Sequence, residues 1–179
     1  MKKSNVILMS FIMVMGLFMV SCDNDDDIKC PDALTGELAA NETDFSGSWV
    51  FSAMVAEEAI DVTDDNTSNP STDIFNQYEP CKRDLSYDFK NNRDYALKLG
   101  GIVADCNKET ITGTWSLSPT NNLTFVSGCS SQAIQITLNE DGTEFSYKLN
   151  ANLKNINGEF KIMPVTYTYT KLSPEVTPQ

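Results

Sequence analysis

The chain predicts an all-β domain: an eight-stranded antiparallel up-and-down barrel with a short helical turn between strands one and two. Three observations predict it. Apolar and polar residues alternate over short runs from about Phe45 to Leu172, the period of a strand with one buried face. Turn residues break those runs at short intervals, as at Glu140-Asp141-Gly142, where Asp-Gly suits the positive φ of a hairpin turn. No helical pattern is long enough to cover a parallel sheet, and sequential antiparallel strands close best on themselves, leaving no free edge.

The elements follow in order. Trp49, Phe51, Ala53 and Val55 define the inner face of the first strand. Glu57 to Cys81 is a polar, acidic link in which Ser71-Thr72-Asp73 caps one or two helical turns carrying Ile74, Phe75 and Tyr78. Leu85, Tyr87 and Phe89 form the second strand, and Tyr95, Leu97 and Leu99 the third, with Asn91-Asn92-Arg93 turning between them. Ile111, Trp115 and Leu117 make the fourth, with Gly113 placed where a neighbouring backbone approaches closely. Leu123 and Phe125 make the fifth, and Ile134, Ile136 and Leu138 the sixth. The seventh and longest carries Phe145, Tyr147, Leu149, Ala151 and Leu153 on one face. The last begins with Phe160 and Ile162 and continues with Val165, Tyr167 and Tyr169. Its apolar positions change from even to odd across Met163-Pro164, which predicts a bulge or bend there.

The N-terminus has a different character. Lys2 and Lys3 precede an apolar run from Val6 to Val20, a secretory signal too short and wrongly flanked to span a membrane. It ends in Leu17-Phe18-Met19-Val20-Ser21-Cys22, which resembles the bacterial lipobox. The resemblance implies cleavage after residue 21 and acylation of Cys22, with the membrane as a partner through the lipid. The run Asp23-Asn24-Asp25-Asp26-Asp27 reads as a solvated tether. It is similar to the acidic export tag of Bacteroidetes lipoproteins and so implies the outer membrane and the cell surface; the alternative is a periplasm-facing anchor. The domain plan is a signal peptide at 1–21, a polar acidic tether at 22–44, a barrel at 45–172 and a tail at 173–179.

Removing residues 1–21 leaves 158 residues, enough for one domain with a substantial core. Those residues carry 11 basic and 25 acidic side chains, a net charge of −14, which repels phosphate backbones and argues against nucleic acid as a partner. Four cysteines remain: Cys30, Cys81, Cys106 and Cys129. An even set in an oxidising envelope reads as a disulfide framework with three connectivities open, and no pair has the spacing of a zinc knuckle.

Phe45-Ser46-Gly47-Ser48-Trp49, Cys81-Lys82-Arg83-Asp84 leading to Tyr87 and Phe89, Cys106, and Gly113-Thr114-Trp115-Ser116-Leu117 together resemble a lipocalin-like domain lipoprotein of the Bacteroidetes type. The resemblance covers about Phe45 to Leu172 and implies a Cys81–Cys106 disulfide. Arg83 departs from the acidic residue often found after the Cys-Lys of that family. Cys30 and Cys129 are then left to pair. If they do, residues 30–44 are held against the barrel and the free tether shrinks to 22–29.

The chain contains no His, which removes the usual triad base and the simplest proton shuttles. No nucleophile motif or phosphate loop occurs, so the chain is expected to be no enzyme and to use no cofactor. No metal site is expected. The run from Asp23 lacks the glycine and final glutamate of an EF-hand loop, with Ile28 and Leu34 in those places; Asp61, Asp64 and Asp65 have the same failing. Trp49 is expected in the core. The candidate ligand-lining residues are Tyr87, Tyr95, Phe125, Phe145, Tyr147 and Tyr167, since eight strands leave room for packed side chains or one small ligand. The expected function is binding of a small apolar or glycan-derived ligand by a lipid-anchored barrel. The alternative is an interaction or structural lipoprotein whose filled barrel presents loops to another envelope protein.

Overall fold

The computed structural model describes residues 29–63 and 65–173. The expected signal peptide, Cys22, the acidic run from Asp23 to Asp27, Asp64 and tail residues 174–179 lie outside the described residues. The elements in order are α1 (Ala40–Phe45), β1 (Gly47–Ile60), β2 (Ser71–Asp73), α2 (Pro80–Arg83), β3 (Leu85–Phe89), β4 (Asp94–Leu99), β5 (Glu109–Leu117), β6 (Asn122–Ser127), β7 (Ser130–Gln135), β8 (Thr137–Leu138), β9 (Glu144–Lys154) and β10 (Phe160–Lys171). Every pairing is antiparallel, in the order β7-β6-β5-β4-β3-β1-β10-β9-β8, with β2 added to β1. The two ends of that series, β7 and β8, are consecutive in the chain and separated only by Ile136. One bent segment therefore brings the sheet round into a nearly closed barrel.

The ten strands correct the expected eight in two places. The segment expected as a helical turn over 71–78 opens with β2, which pairs with β1 through Asp73 and Ser71. Ile74 follows it into the core, fully buried, and the helical turn comes later, as α2, where Pro80 suits a first-turn position. The expected sixth strand is divided at Ile136, whose N–H bonds Asn121 O at 2.9 Å. Before it the chain pairs with β6, after it with β9.

The expected bulge is also elsewhere. Register between β9 and β10 runs unbroken from Phe160 to Thr170, so Met163-Pro164 holds none. Met163, Val165 and Tyr169 are buried, whereas Phe160 and Ile162 point outward, 67% and 71% exposed. The slip lies in β1, whose pairing with β10 shifts between Phe51 and Ala53. Trp49 and Phe51 face in before it, Met54 and Ala56 after it. The expected inward positions Ala53 and Val55 thus face out, as one extra residue flips every later side chain.

One end of the barrel is solid. Phe45, the last residue of α1, enters it with ring centroids 4.9 Å from Trp49, 5.0 Å from Phe89, 5.4 Å from Phe145 and 5.8 Å from Trp115. Both indoles are satisfied: Trp49 Nε1 donates to Phe45 O and Trp115 Nε1 to Lys90 O. Lys171 Nζ lies over the Trp49 ring at 5.4 Å and donates to Asp44 O. Gly113 lets β5 approach: a Cβ there would lie 2.1 Å from Val126 O and 2.8 Å from the Tyr95 ring.

Residues 30–44, expected within a polar tether, lie against the barrel. The Cys30–Cys129 disulfide, Cα atoms 4.5 Å apart, fixes the segment to the β6–β7 turn at the open end. Leu34 N then donates to Thr114 Oγ1. Nearer the base Arg93 donates to Gly36 O and Glu37 O. There Glu42, 4% exposed, receives both guanidinium nitrogens of Arg93 at 2.7 and 2.8 Å, Ala39 N at 2.8 Å and Leu117 N at 3.0 Å. Burial opposes ionisation of that carboxyl, but these donors outweigh it and hold its pKa down at about 2. The lead-in thus runs down the outside of the barrel from mouth to base and ends in a buried ion-pair clamp.

Candidate ligand cavity in the barrel mouth

Away from the Phe45 plug the barrel is not filled. A cavity of about 370 Å³ is bounded by Phe51, Met54, Tyr78, Lys82, Leu85, Tyr87, Leu97, Tyr147, Tyr167 and Tyr169. A second of about 220 Å³ is bounded by Tyr87, Tyr95, Leu97, Ile111, Phe125, Gln132, Ile134, Tyr147 and Leu149. They share Tyr87, Leu97 and Tyr147, so these side chains form the partition between them. Strand alternation places the walls: Tyr87 and Leu97 are direct partners across β3 and β4, and Tyr147 and Tyr167 across β9 and β10.

Of the six expected ligand-lining residues, Tyr87, Tyr95, Phe125, Tyr147 and Tyr167 line these cavities. Phe145 does not. It is 1% exposed and sits in the base, edge-on to Trp49 at 5.0 Å and stacked on Tyr169 at 5.0 Å. Alternation alone put it on the same face as Tyr147, but it lies one inward position nearer the plug. Leu97, Leu149 and Tyr169 were legible as inward positions without being singled out. Tyr78 comes from the β2–β3 connection, where the sequence marks it only as an apolar position of the expected helical turn.

The walls are aromatic and uncharged. Tyr87 stacks on Phe89 at 5.3 Å and on Phe125 at 5.7 Å, and Tyr147 stacks on Tyr167 at 5.2 Å. Burial, reinforced by neighbouring phenols, pushes the hydroxyls of Tyr87, Tyr167 and Tyr169 above the usual tyrosine range; burial likewise raises Tyr147 and Tyr78. All five stay protonated in neutral solution and present neutral donors and acceptors. Charge enters only at the rim, where Lys82 lies over the Tyr78 ring at 5.6 Å.

Tyr78, Lys82 and Leu85 also border a more open groove of about 820 Å³ outside the barrel, between α2 and the β4–β5 loop. The Cys81–Cys106 disulfide, Cα atoms 5.5 Å apart, braces it. Asp84, 5% exposed, holds the loop by accepting Ile102 N at 2.8 Å and Val103 N at 2.7 Å on Oδ2. Its lining carries mixed charges, among them Lys82, Lys108, Asp105 and Glu109.

Among the described residues no group of three or more His, Cys, Asp or Glu side chains is placed to hold a metal ion. Asp61 is occupied internally, accepting Thr63 N, Thr63 Oγ1 and Asn69 N. No helix among those residues is long and apolar enough to cross a membrane.

The sequence model of the family described as Domain of unknown function (DUF5004) matches residues 23–171, from just after Cys22 to the end of β10. No curated protein matches the chain. The chain belongs to the DUF5004 family.

Proposed function

We propose, for this member of a family defined without an activity, a lipid-anchored, lipocalin-like binding protein that holds one small uncharged ligand in the barrel mouth. The observation that carries this reading is the pair of tyrosine-walled cavities beside a fully packed base. A barrel built only as a rigid spacer gains stability by filling both halves, since each void forfeits packing. The cavity of about 370 Å³ stands at the small end of the roughly 300–1,000 Å³ range of ligand sites, so it selects a small molecule. Phenol rings pack against an apolar face and their hydroxyls meet a few oxygens. That chemistry fits a small apolar compound or a glycan fragment and disfavours anything carrying charge inward. The anchoring half of the proposal rests on the lipobox-like run ending at Cys22, with the cell-surface face of the outer membrane as its location.

Titration with the uncharged, environment-sensitive probe N-phenyl-1-naphthylamine tests the binding half. Leu97 borders both cavities, so Leu97→Trp fills the space at their partition without touching the base. Saturable binding in the native protein, weakened at least tenfold in the variant, is the expected result. Equal binding by both, or none by the native protein, would overturn it.

A further inference from the structure

The Cys30–Cys129 disulfide joins the N-terminal segment to the β6–β7 turn, at the same end of the barrel as the mouth. Cys30 comes only eight positions after Cys22, a reach of at most roughly 28 Å when fully extended. The mouth rim, where Cys30 is fixed to Cys129, is therefore held within that reach of a membrane that holds Cys22.

The three most exposed large apolar side chains among the described residues stand at that end. Ile102 in the β4–β5 loop is 69% exposed, Phe160 67% and Ile162 71%, while Ile111 and Leu149 are 39% and 44% exposed within the opening. The turns at both ends are polar, and at the base Leu172 is 49% exposed, less than Phe160, Ile162 or Ile102 at the mouth. We propose that the mouth end of the barrel docks on the bilayer that holds the anchor, with Phe160, Ile162 and Ile102 in the interfacial layer. The partner is a lipid surface, and the cavity opens toward it. The acylated chain from Cys22 onward carries a net charge of −14, so the contact is apolar, depends on the tether and is insensitive to salt. This inference rests on the acylation of Cys22 proposed above.

The test uses the full lipidated protein, purified from its own envelope and reconstituted in phosphatidylcholine vesicles with or without bromine on the acyl chains. Trp49 and Trp115 are fully buried in the base and supply a constant background. Phe160→Trp and Ile102→Trp are reporters on two sides of the mouth, and Leu172→Trp is one at the base. The docked arrangement has brominated lipid removing at least half of the fluorescence added by each mouth reporter and none of that added by the base reporter. Unquenched mouth reporters on vesicle-bound, acylated protein overturn the docking alone and leave those side chains to a protein partner. Quenching of Leu172→Trp overturns it as well. Mass spectrometry of the Cys22 peptide separates the two readings: a peptide without acyl chains overturns the anchor and the docking together.

Discussion

Glu42→Gln is the substitution that most sharply interrogates how the lead-in is held. It keeps the shape of the side chain and removes its charge, leaving the Arg93 guanidinium, 9% exposed, without its counter-ion. Breaking a buried pair by removing one partner costs about 3–5 kcal/mol. The depressed pKa reflects the same contacts on the same scale, because a carboxyl lowered from 4.5 to about 2 contributes on the order of 3 kcal/mol once ionised. For a domain of this size that lowers Tm by roughly 10 °C at pH 7. The pH dependence has a definite sign. Since the folded pKa is depressed, the contribution is fully present above the ordinary value of 4.5 and is lost as pH falls through about 2. Thermal unfolding followed by circular dichroism from pH 7 to pH 2 should show a gap between native protein and variant that narrows below pH 5. A gap under 2 °C at pH 7, or one that stays constant down to pH 2, would refute the clamp.

Other outcomes follow from the same geometry. Gly113→Val drives a side chain into Val126 O and the Tyr95 ring; it should cost at least about 1–3 kcal/mol in urea unfolding, and a neutral result would remove the close approach of β5 and β6. The Cys30–Cys129 bridge closes a separation of 99 residues and Cys81–Cys106 one of 25. In the chain-entropy model these contribute about 5 and about 3 kcal/mol, so the paired alanine variants should lose stability in that order, and the reverse order would show that native-state effects dominate. Mild reduction should also expose residues 30–39 to protease while the barrel stays intact; continued protection would mean that the Arg93 clamp alone suffices. Cys22→Ser should leave an unprocessed precursor or a soluble form, whereas unchanged mature size and detergent partitioning would exclude acylation.

What the sequence made legible depended on how far each feature was local. β9 keeps one residue type per face from Phe145 to Leu153, and its inward positions could be read directly. β1 could not, because Ala53 and Met54 are both apolar and either continues an alternating pattern; only pairing with β10 shows the slip between Phe51 and Ala53. Phe160 and Ile162 misled for the opposite reason, being apolar residues on an outward face. The lead-in was illegible as structure because Glu42 and Arg93 are 51 residues apart and leave no local signature. In the cavity, Tyr87, Tyr95, Phe125, Tyr147 and Tyr167 follow from period-two alternation, whereas depth along the barrel does not, so Phe145 could not be told from its neighbours.

The central claim is that the mouth holds a ligand, and native mass spectrometry of the protein released from its own membrane tests it most directly. The account predicts a co-purifying small molecule at one copy per chain, retained by the native protein and lost from Leu97→Trp. A native protein that flies at its bare acylated mass, gentle detergent release included, would contradict it, as would a molecule held equally by the filled variant.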